Sequence, residues 1–469
     1  MRVKLLPKLI MGTAILFSAN TVHAQQTDTL KTTFTSADSL KAAAKADSLK
    51  AVAAAKPNQL VISVDMRTRF EMRHGYRVIP TADTTAAFFT NQRTRLNFDF
   101  KTKKFDLFAS LQDTRVWGQQ DPREGQGAVT TTEATTYPLY MFEIYAEPHF
   151  SDKFSVRIGR QRIIYDNQRL FAENDWRLPG NSHDAVRFIY NNKINFTNEL
   201  TVAYNQAGEN NFTSNYKTTG FVNYKALIVD YLNWKMSKNF TLTTINTADG
   251  YQSSKSTDYK TTYMRYTAGG RLEYSSYNWY LTFSGYYQFG KDSAGKDLSA
   301  YYIQPEIKYS GIKNLAIRLG FEYMSGQDTL NSKDNNFVPL YGVAHRFMGN
   351  MDLFTTFPSD LNNGGLFNPY LFFLYQNKKL TLRMENHLFY SQSNAAFKGK
   401  GDLNKYLGFE NDWRVNYKAM SFLDIESGFC WASVTNSMIA VKKSGDTKAF
   451  PYWYYLSLRF TPTIGKFTW

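Results

Sequence analysis

The 469-residue sequence contains one cysteine, Cys430, so no intramolecular disulfide can hold it together. It has no apolar run of the roughly 20 residues that a membrane-spanning helix needs. Six histidines, at 23, 74, 149, 183, 345 and 387, show no metal-ligand spacing, and the nucleophile-elbow, zincin and EF-hand signatures are missing. These absences exclude a disulfide scaffold and a helical membrane protein, and argue against an enzyme. No catalytic residue, metal or cofactor is expected. Beyond residue 58 helical periodicity is also missing, so any fold must come from strands.

Aromatic residues are plentiful instead, at 16%, in a chain whose mean hydropathy is negative. The start reads as a Sec signal peptide. MRVKLLPK is its basic region, LIMGTAILFSA its short apolar core, and Val22-His23-Ala24 the cleavage site before Gln25. No cysteine follows that site, which argues against a lipoprotein anchor. Removing residues 1–24 lowers the formal charge from +15 to +12, because Arg2, Lys4 and Lys8 leave with them. A basic exported protein points to anionic partners other than nucleic acid. Residues 25–57, rich in Ala, Lys, Asp, Ser and Thr and carrying ADSLK twice, read as a solvated periplasmic tail.

From residue 58 to 469 the period is two. In SVDMRTRFEMR, Val64, Met66, Thr68, Phe70 and Met72 alternate with Asp65, Arg67, Arg69, Glu71 and Arg73. Short connections are expected near 102–105, 150–153, 191–195, 236–239, 275–278, 310–314, 376–379 and 417–420. Long ones are expected near 74–89, 118–137, 164–183, 207–218, 249–260, 291–298, 327–366, 393–402 and 435–449. Eight short turns alternating with nine long loops predict about eighteen strands in an all-β, antiparallel transmembrane barrel. Its short turns would be periplasmic and its long loops extracellular. Only a closed sheet pairs its backbone inside hydrocarbon, and alternation then sends one face to lipid and the other to the lumen. Outer-membrane lipid, lipopolysaccharide and the barrel-assembly machinery are the implied partners. Tyr- and Trp-rich strand ends fit interfacial girdles.

A basic side chain facing mid-bilayer lipid costs about 2–4 kcal/mol, which puts the charges inside. The inward candidates are Arg67, Arg69, Arg93, Arg95, Arg157, Arg187, Arg318, Arg383, Arg414 and Arg459, with Glu143 among the carboxylates offsetting them. They could form ladders between strands, or they could leave guanidinium forks to attract anions such as organic acids and acidic saccharides. Two other functions compete: a surface binding barrel that displays the 327–366 loop, and a barrel hydrolase. The pentapeptide ENDWR occurs at 173–177 and 410–414 with different flanks, and the pair reads as coincidence.

The segment SVRIGRQRIIYDNQRLFAENDWRLPGNSHDAVRFIY (155–190) resembles the signature of the alginate-export family of outer-membrane porins. The matching residues are Gly159, Arg160 and Gln161, then Tyr165, Arg169 and Leu170, Asp175 and Trp176, and finally Asp184, Val186 and Arg187. Upstream, LQDTRVWGQ resembles the family's strand end and places Asp113, Arg115 and Trp117. The resemblance implies an eighteen-stranded outer-membrane pore with an arginine-rich constriction for a polyanionic polysaccharide. It adds Arg115 and Asp184 to the pore-lining candidates and puts the first ENDWR in the family's loop. Asn181-Ser182-His183 departs from the family's usual approach to that Asp.

Overall fold

Alternating residues with Ser, Thr or Asn at the breaks build a sheet of hairpins. The computed structural model describes residues 57–118, 139–216, 223–253, 261–327, 332–400 and 403–469. The expected signal peptide, and the expected tail up to residue 56, lie outside the described residues. The strands are β1 (Gln59–His74), β2 (Ala87–Lys101), β3 (Phe105–Val116), β4 (Leu139–Ser151), β5 (Phe154–Gln161), β6 (His183–Asn191), β7 (Phe196–Tyr204), β8 (Ala226–Lys235) and β9 (Phe240–Gln252). They continue with β10 (Thr262–Ser276), β11 (Trp279–Lys291), β12 (Asp297–Ile312), β13 (Leu315–Met324), β14 (Leu366–Gln376), β15 (Leu380–Ser391), β16 (Tyr406–Met420), β17 (Leu423–Val434), β18 (Tyr452–Phe460) and β19 (Thr463–Thr468). Among the described residues the one α-helix is α1 (Asn436–Lys442).

Each strand from β1 to β17 pairs antiparallel with the next, and β1 also pairs with β18 and β19, which closes the barrel. β18 and β19 are two halves of one crossing. Pro462 between them has no N–H for the ladder, and its carbonyl accepts the Val64 N–H at 3.0 Å. The barrel therefore has the eighteen crossings that the turns predict. The short turns fall where expected, except that the last is displaced to the residues between Met420 and Leu423. Several are closed by their own side chains: the hydroxyls of Thr102, Ser151 and Ser237 each accept two backbone N–H groups, and Asn192 Oδ1 accepts three.

Ile144, Ile158, Phe283, Leu319 and Trp413 are exposed on the outer face, whereas Asp65, Arg67, Arg69 and Glu71 are buried on the inner one. Cross-strand register keeps the inner set together, with Asp65 opposite Arg95 and Arg67 opposite Arg93.

Two long loops turn into the lumen, residues 162–182 and, of the second, the described residues 325–327 and 332–365. They pair in parallel at Phe171 and Tyr341, with Tyr341 N–H donating to Leu170 O at 2.9 Å and Val343 N–H to Gln168 O at 3.1 Å. Around that join Ile163, Leu170, Phe171, Tyr341, Phe347 and Met348 pack with Tyr302, Met324 and Trp453 of the wall into one buried apolar cluster. The segment 327–366, expected in the surface-binding reading as a displayed loop, is thus folded inward over much of its length. Its apolar residues, Phe337 to Phe357, are spent on burial.

Candidate functional site

The entry to the first inward loop is a glycine whose conformation excludes a side chain. Gly159 has φ +124°, and a Cβ there would stand 2.3 Å from Ile144 O. Gln161 follows, fully buried; its Nε2 donates to Ala185 O at 2.9 Å and its Oε1 accepts Arg187 Nε at 3.0 Å. Tyr165 then stacks on Tyr231 of the wall, with centroids 4.1 Å apart. Arg169, also buried, pairs with Glu322 of β13 at 2.7 Å and donates to Val343 O of the second loop.

At its tip the loop presents Asp175 to the wall. Arg93 Nη1 meets Asp175 Oδ1 at 2.8 Å, Arg93 Nη2 meets Oδ2 at 3.0 Å, and Arg95 Nη1 meets Oδ1 at 2.6 Å. Arg459 stands 3.7 Å away while gripping Asp65 through two bonds of 2.9 and 2.8 Å. Arg67 donates to the carbonyls of Asp175, Trp176 and Arg177. Arg69 donates to Trp176 O and lies 4.3 Å over the Trp176 ring. Burial alone would raise the pKa of Asp175, but the guanidinium groups of Arg93, Arg95, Arg459 and Arg67 hold it well below the usual carboxylate range. Deeper in the same loop the balance reverses. Burial lifts Asp166 to about 6, although the hydroxyls of Thr243 and Tyr231 offset part of the rise.

Trp176 stacks on His345 of the second loop, with centroids 4.3 Å apart and planes 9° from parallel. His345 Nδ1 in turn lies 2.9 Å from Asp352 Oδ1, and Tyr76, between β1 and β2, donates to the other oxygen of Asp352. Between these loops and the wall is a cavity of about 60 Å³ whose lining includes Arg318, Arg346, Arg383 and Arg414 with Glu173, Asp175 and Glu385. Two of those arginines hold their carboxylates loosely: Arg318 is 3.5 Å from Glu306 and Arg414 is 3.8 Å from Glu385.

The remaining predicted residues divide by register. Arg157, paired with Glu147 at 2.7 Å, stands opposite Arg187, which meets Glu199 at 3.2 Å. Glu143 is buried against Arg162. Arg115 and Asp184 do not join the inner face. Arg115 lies opposite Gln92, out of step with the inner pair Arg93 and Thr114, and forms an exposed bidentate pair with Asp113. Asp184 is exposed and takes both bonds of Arg160, at 2.8 Å each. Both pairs sit at the loop ends of their strands, where neutralised charges can face outward beyond the apolar band. The two ENDWR segments also part: the first is loop, the second lies within β16, yet Asp175 and Arg414 line one cavity. Sequence reasoning missed Arg162, Glu173, Arg346 and the inner role of 332–365. Period two carries no signal for a loop that folds back.

A model of the family described as alginate export matches residues 58–429. No match was found among curated protein sequences. Among solved structures, Acinetobacter baumannii OccAB1 superposes with TM-score 0.58 at 12% identity over 87% of this chain and 97% of that one. Pseudomonas aeruginosa OccK3 (OpdO) gives 0.57 at 11%, over 87% and 96%. Pseudomonas aeruginosa OpdQ gives 0.56 at 13%, over 87% and 99%. At these identities the likeness establishes a shared fold, the outer-membrane porin barrel.

Proposed function

This chain belongs to the alginate export family of outer-membrane porins, and on that premise we propose that it passes anionic solutes, acidic saccharides or organic acids, along an arginine-lined lumen without catalysing their conversion. The observation that carries the reading is Asp175. A carboxylate on the tip of an inward loop is taken by two guanidinium groups of the wall with a third close by. A wall that fits this carboxylate fits those of a uronate. Arg318, Arg346, Arg383 and Arg414, around the neighbouring cavity, offer a second set. Arg67, Arg69, Arg157, Arg187 and Glu143 complete the proposed lining. Sec export with cleavage after Ala24, a periplasmic tail over 25–57 and delivery to the barrel-assembly machinery belong to the same reading.

The test is reversal potential across planar bilayers under a salt gradient. Anion preference is expected, reduced by combined R318Q, R383Q and R414Q substitutions, and oligouronates are expected to block the current where neutral oligosaccharides of equal length do not. Cation preference that those substitutions leave unaltered would refute the reading.

A further inference from the structure

On the inner face of β15 and β16 three carboxylates and a histidine form a square: Glu385 stands opposite Asp412 and His387 opposite Glu410. His387, Glu410 and Asp412 are each at most 1% exposed. Ligand atoms from Glu385, His387 and Asp412 lie within 4.8 Å of one another. We propose that these three side chains bind a divalent transition-metal ion of the zinc class, a site independent of which solute the channel carries.

Two observations point to a ligand. The first is valence left over after every visible bond is assigned. His387 Nδ1 is engaged at 3.1 Å by Asn368 Oδ1, which fixes the ring with its proton on that side and leaves Nε2 as a bare lone pair, buried and unpartnered. Asp412 Oδ2 accepts the Asn350 N–H at 3.0 Å and Glu410 Oε1 the Met351 N–H at 2.7 Å, while Asp412 Oδ1 and Glu410 Oε2, buried close to each other and, for Asp412, to the Cys430 thiol, accept no N–H. The second is charge. Neither Glu410 nor Asp412 forms an ion pair with a basic side chain among the described residues, whereas Glu385 has Arg414 beside it at 3.8 Å. Two neighbouring buried carboxylates without counter-ions require a cation or a proton.

The donor set selects among cations. One imidazole nitrogen with carboxylate oxygens suits zinc and its first-row neighbours, whereas calcium wants six to eight oxygens. Metal–ligand distances of about 2.0–2.2 Å require the three groups to draw together on binding. The backbone N–H of Asn350, which holds the outer oxygen of Asp412, would then tie the second inward loop to the ion. Gly349 is part of that approach, since with φ +79° it brings the backbone so close that a Cβ would overlap the Glu410 carboxylate.

The experiment uses the full chain in detergent after chelator treatment, titrated with Zn²⁺ by calorimetry and with Co²⁺ by visible absorption. One ion per chain is expected, weakened at least tenfold by H387Q or D412N and about tenfold by N368A, which removes the group that orients the ring. H149Q, at a histidine distant in sequence that pairs with Asp106, should change nothing. Calcium should not compete. Heat-modifiable gel migration checks that each variant is folded. Because H387Q could fail that check, zinc-edge anomalous scattering from crystals of the unaltered chain gives a second readout, with density expected between residues 385, 387 and 412. Absence of saturable binding, binding that folded H387Q retains, or density elsewhere would overturn the site and leave a shared proton as the counter-charge.

Discussion

Arg93 grips Asp175 through two parallel N–H···O bonds, 2.8 and 3.0 Å long, and the arginine is wholly buried. One residue belongs to the wall and the other to a loop 82 positions away, so the pair fastens the inward loop to the barrel. Removing one partner of a buried pair strands the other charge and costs about 3–5 kcal/mol. Asp175→Asn should therefore speed amide hydrogen exchange across residues 170–180 and leave the wall strands β1 and β2 unaffected. Unchanged exchange in the loop would contradict the fastening role.

Asp166 gives the same loop a pH dependence of opposite sign to that of Asp175. Its pKa is about 6 when the loop is docked, against about 3.9 for a free Asp. The docked form therefore holds a proton that the undocked form releases. Docking is fully favoured below pH ~4 and loses this contribution as the pH rises through 6. Asp175, depressed instead, contributes above its ordinary pKa and is lost only at pH values well below it. Between pH 7 and pH 5 the loop should tighten. Amide exchange corrected for its intrinsic pH dependence should show added protection near residue 166 at pH 5, and Asp166→Asn should abolish the difference.

Gly159 is the family-motif residue whose requirement is sharpest. Any Cβ at φ +124° meets Ile144 O at 2.3 Å. The backbone conformation alone costs a non-glycine residue roughly 1–3 kcal/mol, and the overlap adds to it. Gly159→Ala should lower the urea midpoint for refolding into lipid vesicles, with β5 and β6 the first strands to lose protection.

The lipid face is tested by Leu319, exposed midway along β13. Leu319→Arg should destabilise the barrel by about 2–4 kcal/mol in a chemical denaturation series in vesicles. A neutral effect would mean that this face does not meet hydrocarbon.

The wall was legible in the sequence because its rule is local. SVDMRTRFEMR declares two faces within eleven residues, and turns such as Ser237–Asn239 carry their own closing hydroxyl. Arg115 and Asp184 escaped that rule because it holds only across the hydrocarbon; one strand end further out, paired charges face water at no such cost. The lumen contents were not legible. Trp176 against His345, or Arg169 against Glu322, joins segments more than 150 residues apart, and nothing in either segment names the other. The family signature marked Asp175 and Trp176 without saying that five wall arginines surround them.

The seam between first and last strands has a consequence for assembly. Asn58 and Trp469 exchange reciprocal N–H···O bonds of 3.0 and 3.1 Å, so the barrel is zipped shut where β1 begins and β19 ends. Until the final segment arrives, two raw strand borders stand open on the nascent cylinder, each a template for the wrong neighbour.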